Sequence, residues 1–150
     1  MEWQQVIDNP FLQDLPFKIE LNKWGKILMS PANNNHGNLQ YKVGHRIHST
    51  KRSGEIIIEC SIKTPEGVKV ADVAWASDEF IAEHGFDTPY NVAPDICVEV
   101  VSPSNSKGEM QEKIRLYLNQ GAKEVWICNQ DGGISYFSKA GQINESIVAS

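Results

Sequence analysis

The sequence contains little cysteine and no paired-cysteine motif. The three cysteines, Cys60, Cys97 and Cys128, are widely separated in a chain of 150 residues. An odd number without Cys-x-x-Cys spacing excludes a disulfide framework and a zinc ribbon. Each cysteine instead stands among β-branched and other apolar residues, which predicts buried, reduced thiols.

Long apolar stretches are also absent. No run approaches the roughly 20 apolar residues that a membrane-spanning helix needs. The first residues, MEWQQVIDNPFLQ, have neither the basic segment nor the apolar segment of a signal peptide. The sequence therefore predicts a soluble, cytoplasmic protein with no membrane association.

Basic residues are not in excess. The chain has 14 lysines and arginines against 19 aspartates and glutamates, which gives a net charge of −5 at pH 7. This balance excludes a polybasic protein that binds nucleic acid through bulk electrostatics, but it does not exclude a local basic cleft. A hydrophobic content of 41% over this length predicts a single domain, residues 1–150, with its own core.

What the sequence does contain is a series of strand and helix patterns. Residues 17–30 predict a strand, a turn at Trp24 and Gly25, and a second strand. Apolar residues then recur every four positions, a helical spacing, at Leu39, Val43 and Ile47. Asn34 or Asn35 is the expected cap of this helix.

The middle of the chain is rich in β-branched residues. Residues 55–63 and 68–75 predict a hairpin, because the turn-forming segment TPEG joins them. Residues 76–93 predict an irregular loop or a short helix. The nearly continuous apolar run at residues 95–101 predicts a central strand.

The last third of the chain predicts another helix followed by strands. A second helical stripe is formed by Met110, Ile114, Tyr117 and Leu118. The helix is expected to end at Gly121. Residues 124–129 predict a buried strand that forms a hairpin with residues 132–137. The element order is then β-β-α-β-β-β-α-β-β, and the fold class is mixed α/β.

Two acidic residues occupy positions that strand alternation assigns to apolar surroundings. Asp72 shares its face with Val68, Val70 and Ala74, and Glu99 lies mid-strand among hydrophobic neighbours. A buried carboxylate is costly unless a cation, a metal or hydrogen-bond donors compensate its charge. Two such acids on neighbouring strands predict a magnesium site. The alternative is that each acid caps a backbone group or pairs with a lysine.

One basic residue of the second helix is directed partly inward. On a helical wheel Lys113 falls at the edge of the apolar stripe. A pair with Glu109, or a lysine stem that covers apolar surface, would explain this position without a function. The functional alternative is a cation that orients an attacking water or stabilises negative charge on a phosphate.

These residues resemble the Uma-two family. The resemblance is carried by VADVAW around Asp72, APDICVEVVSPS around Glu99, the helix with Lys113 and Tyr117, and the segment GAKEVWICN. Upstream, IELNKWGKILMSPANNNHG is similar to the N-terminal signature of the same family. The resemblance spans about residues 15–137, nearly the whole chain.

The resemblance implies a restriction-endonuclease-like fold with an α-β-β-β-α-β core, in which a mixed sheet is flanked by helices. It also implies a metal-dependent endonuclease that hydrolyses DNA phosphodiester bonds. Asp72 and Glu99 match the two motif acids that would bind Mg²⁺ or Mn²⁺, and Glu20 resembles an additional metal ligand. The motif lysine is expected at position 101, where the chain has Val101, so Lys113 would be its catalytic substitute.

Three further residues are candidates for indirect roles around the metal. His36 aligns with a family histidine, and helix capping is its alternative role. Asp95 is four positions before Glu99, roughly 13 Å along a strand, so the two cannot bind one ion. Asp95 could instead close a turn or open the strand, and Tyr117 could simply pack.

Two other functions are also compatible with the sequence. A catalytically inactive nucleic-acid-binding or interaction module on the same fold is favoured by the acidic balance and by the missing lysine at position 101. A glycosidase with Asp72 and Glu99 as its acid pair has less support, because nothing else indicates a sugar cleft. DNA is the expected partner, and a homodimer would allow both strands to be cut.

Overall fold

A six-stranded mixed sheet with helices on both faces organises the computed structural model, which describes all 150 residues. The helices are α1 (Trp3–Asp8), α2 (Asn34–Lys51), α3 (Asp78–His84) and α4 (Lys107–Asn119). The strands are β1 (Phe17–Leu21), β2 (Ile27–Pro31), β3 (Glu55–Thr64), β4 (Gly67–Ala76), β5 (Ile96–Val100), β6 (Glu124–Cys128), β7 (Ile134–Ser138) and β8 (Gly141–Ile143).

The strand order of the large sheet follows the chain from β3 to β8. Only β5 and β6 run parallel, and α4 makes the crossover that a parallel pair requires. Strands β1 and β2 form a separate antiparallel hairpin. The sequence α2-β3-β4-β5-α4-β6 is the α-β-β-β-α-β core, so the predicted fold class is confirmed.

The two faces of the sheet carry separate hydrophobic clusters, because successive side chains of a strand point to opposite sides. On one face α2 packs its predicted stripe against a cluster that includes Val73, Val98 and Trp126. On the other face α4 packs against Ala74, Cys97 and other residues of alternate parity. Glu99 is two positions after Cys97 on β5, so its side chain points to the same face of the sheet, the face that α4 covers.

Several predicted details differ in the structure. The cap of α2 is Asn33, whose side chain accepts a hydrogen bond from the backbone N–H of His36. Residues 76–93, predicted as an irregular loop or a short helix, agree with the second alternative, because they contain the short helix α3, which Ser77 caps. Helix α1 and strand β8 were not predicted, because six and three residues are too short for a periodic pattern.

Two features of the structure bear on the cysteine and membrane predictions: the state of the thiols and the length and hydropathy of the helices. All three cysteines are buried free thiols, as predicted. No helix is long and apolar enough to cross a membrane.

Glu124 attaches the C-terminal segment to the sheet. One carboxylate oxygen accepts hydrogen bonds from the Ser146 hydroxyl and the Trp126 indole, and the other accepts from the backbone N–H groups of Ile147 and Val148. Burial by itself would raise the pKa of Glu124, but these donors outweigh it and hold the pKa below its ordinary value of 4.5.

We expect Glu124→Gln to lower the free energy of unfolding by about 1–3 kcal/mol at pH 7, because two strong acceptors are replaced by one neutral acceptor. The pKa of Glu124 is lowered on folding, so its contribution is present above pH 4.5 and is lost as the pH falls through the folded pKa. Urea unfolding at pH 7 and pH 3 measures both effects. Glu145→Gln, at an exposed position, is the control. An equal difference in unfolding free energy between Glu124→Gln and the unchanged chain at both pH values would contradict the expectation.

Candidate active site

The two predicted acids lie side by side at one end of the β4–β5 pair. The antiparallel register pairs Val73 with Val98. One position further along, Asp72 on β4 therefore lies opposite Glu99 on β5. Opposite residues of an antiparallel pair point to the same face. Asp72 is 0% exposed and Glu99 is 1% exposed, so two carboxylates are buried together.

Lys18, on strand β1, places its ammonium group between these two acids. Its Nζ lies 3.1 Å from Oδ1 of Asp72 and 3.1 Å from Oε1 of Glu99. A third contact, 3.2 Å long, joins the Nζ to the carbonyl oxygen of Val70. Sequence reasoning missed Lys18, although it precedes Glu20 by two positions and therefore shares its strand face.

Lys113 and Glu20 extend the cluster, as the sequence predicted for residues of one site. The Lys113 ammonium donates to Oε2 of Glu20 and lies 3.3 Å from Oε1 of Glu99. Glu20, on β1, also accepts a 2.6 Å hydrogen bond from the backbone N–H of Val70. Three carboxylates and two ammonium groups therefore alternate within one buried network.

Neutral donors bind the remaining oxygens of the two strand acids. Oδ2 of Asp72 accepts a 2.7 Å hydrogen bond from the backbone N–H of Val100. Oε2 of Glu99 accepts a 2.9 Å hydrogen bond from the hydroxyl of Tyr117. Each acid is thus oriented by one oxygen, while its other oxygen is directed at the Lys18 ammonium.

Opposite charges decide the protonation of Asp72 and Lys18. Burial by itself would raise the pKa of Asp72 and lower that of Lys18. The His36 hydrogen bond and the Lys18 charge outweigh burial and lower the pKa of Asp72. The negative charges of Glu99 and Asp72 likewise raise the pKa of Lys18 well above its ordinary range. At neutral pH the two groups therefore form an ion pair.

The other two acids respond differently to the same lysines. Burial raises the pKa of Glu99, and the charges of Lys113 and Lys18 offset this effect only in part, because Asp72 and Glu20 also oppose ionisation. For Glu20 the same two lysines outweigh burial, so its pKa is lowered. Glu99 is therefore the acid of the cluster that most requires positive charge nearby.

Of the three residues predicted to act indirectly, the structure brings two to the cluster. His36, in the first turn of α2, lies with its Nε2 3.4 Å from Oδ1 of Asp72, and this hydrogen bond raises the pKa of the imidazole. Its buried Nδ1 has no hydrogen-bond partner. Tyr117 contacts Glu99 directly.

Asp95 is not brought to the cluster. Its carboxylate accepts a hydrogen bond from the backbone N–H of Ser77 and lies 3.2 Å from the ammonium of Lys123. Asp95 precedes β5, whereas Glu99 lies near the carboxyl end of that strand. Its contacts place it at the turn before the strand, which was the alternative role considered for it.

A small polar cavity of about 50 Å³ adjoins the cluster. It is lined by Lys18, Glu20, His36, Lys113 and other mostly polar residues. A volume of this size can hold a water molecule or a small ion beside the carboxylates. A larger and more apolar cavity of about 470 Å³ shares Lys18 and Glu59 with it.

The carboxylate oxygens of the cluster are of the chemical type that a hard divalent cation binds. Their present cationic contacts are with lysine ammonium groups. Carboxylate and carbonyl oxygens are the ligands that Mg²⁺ prefers. No group of three His, Cys, Asp or Glu side chains is placed to hold a metal together. The oxygens of Asp72 and Glu99 that could converge on a metal already converge on one cation, the Lys18 ammonium.

The α-β-β-β-α-β core, with buried acids on its second and third strands and a lysine on the following helix, agrees with what the resemblance implies for a restriction-endonuclease-like protein. The family model Uma2, described as "Putative restriction endonuclease", matches residues 9–147. The chain belongs to this family. The predicted family resemblance is therefore confirmed.

A solved structure supports the fold. It is the crystal structure of "a putative nuclease belonging to DUF820" from Anabaena variabilis ATCC 29413, to which the chain is similar with a TM-score of 0.67. The similarity covers 80% of this chain and 71% of that chain, at 20% sequence identity. A search of curated proteins finds no significant match.

We expect Tyr117→Phe to lower the free energy of unfolding by about 1–3 kcal/mol, because it leaves one oxygen of the buried Glu99 carboxylate without a donor. Chemical denaturation followed by tryptophan fluorescence measures the loss. Tyr41→Phe is the matched control, since Tyr41 is 67% exposed. Equal denaturation midpoints for Tyr117→Phe and the unchanged chain would show that the hydroxyl does not support Glu99.

Proposed function

We propose that the chain is a metal-dependent endonuclease that hydrolyses DNA phosphodiester bonds. The observation that carries the proposal is the convergence of Asp72 Oδ1 and Glu99 Oε1 on one cation position, beside the ammonium of Lys113. Membership in a family described as "Putative restriction endonuclease" supports a nuclease over a glycosidase.

The proposed metal ligands are Asp72 and Glu99, with Glu20 and a main-chain carbonyl near Val100 as further donors. When bound, Mg²⁺ or Mn²⁺ would polarise the phosphate and lower the pKa of a coordinated water. The backbone N–H of Val100 and the hydroxyl of Tyr117 hold the two acids in orientation. Ligands fixed in this way need little rearrangement when the cation is bound.

Lys113 is the proposed substitute for the missing motif lysine. Its ammonium contacts Glu20 and Glu99, and it lines the small polar cavity. From there the ammonium can orient the attacking water or stabilise negative charge that develops on the phosphate, and only its neutral amine form could deprotonate the water. This assignment explains how the chain can keep the chemistry with Val101 at the ordinary lysine position.

DNA is the proposed substrate, and its negative charge would be repelled by a protein that is itself acidic overall. The net charge of −5 includes the three carboxylates of the cluster. A bound divalent cation would neutralise part of this local negative charge, so DNA binding should depend on the metal. A homodimer is proposed as the arrangement that would offer one site to each strand of a duplex.

We expect Asp72→Asn, Glu99→Gln and Lys113→Met each to reduce the DNA cleavage rate at least about 100-fold, because each removes a metal ligand or the catalytic cation. Supercoiled plasmid and single-stranded DNA are incubated with Mg²⁺, with Mn²⁺ or with a chelator, and nicked and linear products are quantified. Glu112→Gln, at an exposed position of α4, is the control that should retain full activity.

Two outcomes would contradict the enzyme proposal. One is cleavage that persists equally in the chelator and in Asp72→Asn, which would indicate a contaminating nuclease. The other is the absence of cleavage together with DNA binding that does not respond to the metal. This second result would favour the inactive nucleic-acid-binding module on the same fold.

A further inference from the structure

The Lys18 ammonium uses its hydrogen-bonding capacity fully within the cluster. An ammonium group has three N–H donors. The three acceptors are Oδ1 of Asp72 at 3.1 Å, Oε1 of Glu99 at 3.1 Å and the carbonyl oxygen of Val70 at 3.2 Å. Lys18 therefore bridges the two strand acids as a single cation would.

We infer that Lys18 is an internal counter-ion, which holds the metal position in the metal-free chain and is displaced when the divalent cation binds. The inference rests on the proposed function, because it takes Asp72 and Glu99 as metal ligands. Metal binding is then an exchange of one cation for another, and the affinity for the metal includes the free energy needed to release the lysine.

The exchange follows from the oxygens that are available. Oδ2 of Asp72 and Oε2 of Glu99 are bound by the Val100 N–H and the Tyr117 hydroxyl. The remaining oxygens are the two that contact Lys18. A divalent cation held by these two oxygens would compete with the ammonium for the same position, and two cations close together in a buried site repel each other strongly.

The surroundings of Lys18 give the displaced ammonium a place to move. Lys18 lines both the small polar cavity and the larger cavity of about 470 Å³. Glu59 also lines both cavities and is exposed, and Asp14 and Asp87 line the larger one. The acidic side chains that line these cavities offer the displaced ammonium other partners, and Glu59 is exposed to solvent.

The first test compares Lys18→Met with the unchanged chain by calorimetric titration with Mn²⁺. We expect the variant to bind Mn²⁺ roughly tenfold more tightly, because no lysine has to be displaced and the paired acids lack their counter-ion. Its metal-free melting temperature should be lower, and the rise caused by Mn²⁺ should be larger. Lys26→Met, at an exposed position just before β2, is the control that should match the unchanged chain.

The titration separates this inference from the proposed function. If the unchanged chain binds Mn²⁺ and Lys18→Met binds it equally or more weakly, the inference about Lys18 is wrong. The proposed metal site is not contradicted by that result. If only Lys18→Met binds Mn²⁺, the lysine blocks the metal position and is not displaced, so the exchange is overturned and the metal-dependent function of the unchanged chain fails with it. If neither chain binds Mn²⁺, both proposals fail.

A second measurement needs no variant and decides the question if Lys18→Met does not fold. An amine-acylating reagent is applied to the unchanged chain with and without saturating Mn²⁺, and labelling of each lysine is quantified by mass spectrometry. The Lys18 side chain is only 12% exposed, so it should be labelled slowly in metal-free protein and severalfold faster with Mn²⁺. Lys26 provides the constant reference. Unchanged labelling of Lys18 would overturn the inference.

Discussion

The burial of Asp72 beside Glu99 is the constraint on which the surrounding structure depends. Both residues are almost completely removed from water, and their strands are neighbours in the sheet. Two adjacent carboxylates in such surroundings repel each other and lose their hydration, so each requires compensation from nearby groups. The compensation comes from four separate parts of the chain: the β1 strand, His36 of helix α2, helix α4 and the backbone at Val100.

The same contacts that compensate the acids also hold the elements together. The β1–β2 hairpin is outside the large sheet, and it is joined to β4 where Lys18 and Glu20 bond to the backbone of Val70. Helix α4 is joined to the strands through Tyr117 and Lys113, which both reach Glu99. The residues proposed for chemistry therefore contribute to stability as well, and removing one member leaves a buried charge without its partner.

The sequence pointed to members of this cluster wherever one local pattern was enough. Strand alternation identified Asp72 and Glu99, and the helical wheel identified Lys113, because both periodicities are regular. Lys18 was missed because a lysine at the exposed end of a short strand looks ordinary, and only the docking of the hairpin against β4 brings it to Asp72. In the same way, the pattern could not show that Asp95 pairs with Ser77 and Lys123 at the other end of β5.

In each of the two acids, one carboxylate oxygen contacts a neutral donor and the other contacts the Lys18 ammonium. This arrangement explains how the proposed site could take either an ammonium or a divalent metal ion. Val100 and Tyr117 orient Asp72 and Glu99 through neutral hydrogen bonds that do not involve the cation. The other oxygens face a common position, which an ammonium bridges with contacts of 3.1 Å. Replacing the ammonium by a metal therefore requires a lysine side chain to move, while the strands that carry the acids can stay in place. In the proposed exchange, the buried acids would be compensated by the ammonium before the metal binds and by the metal afterwards.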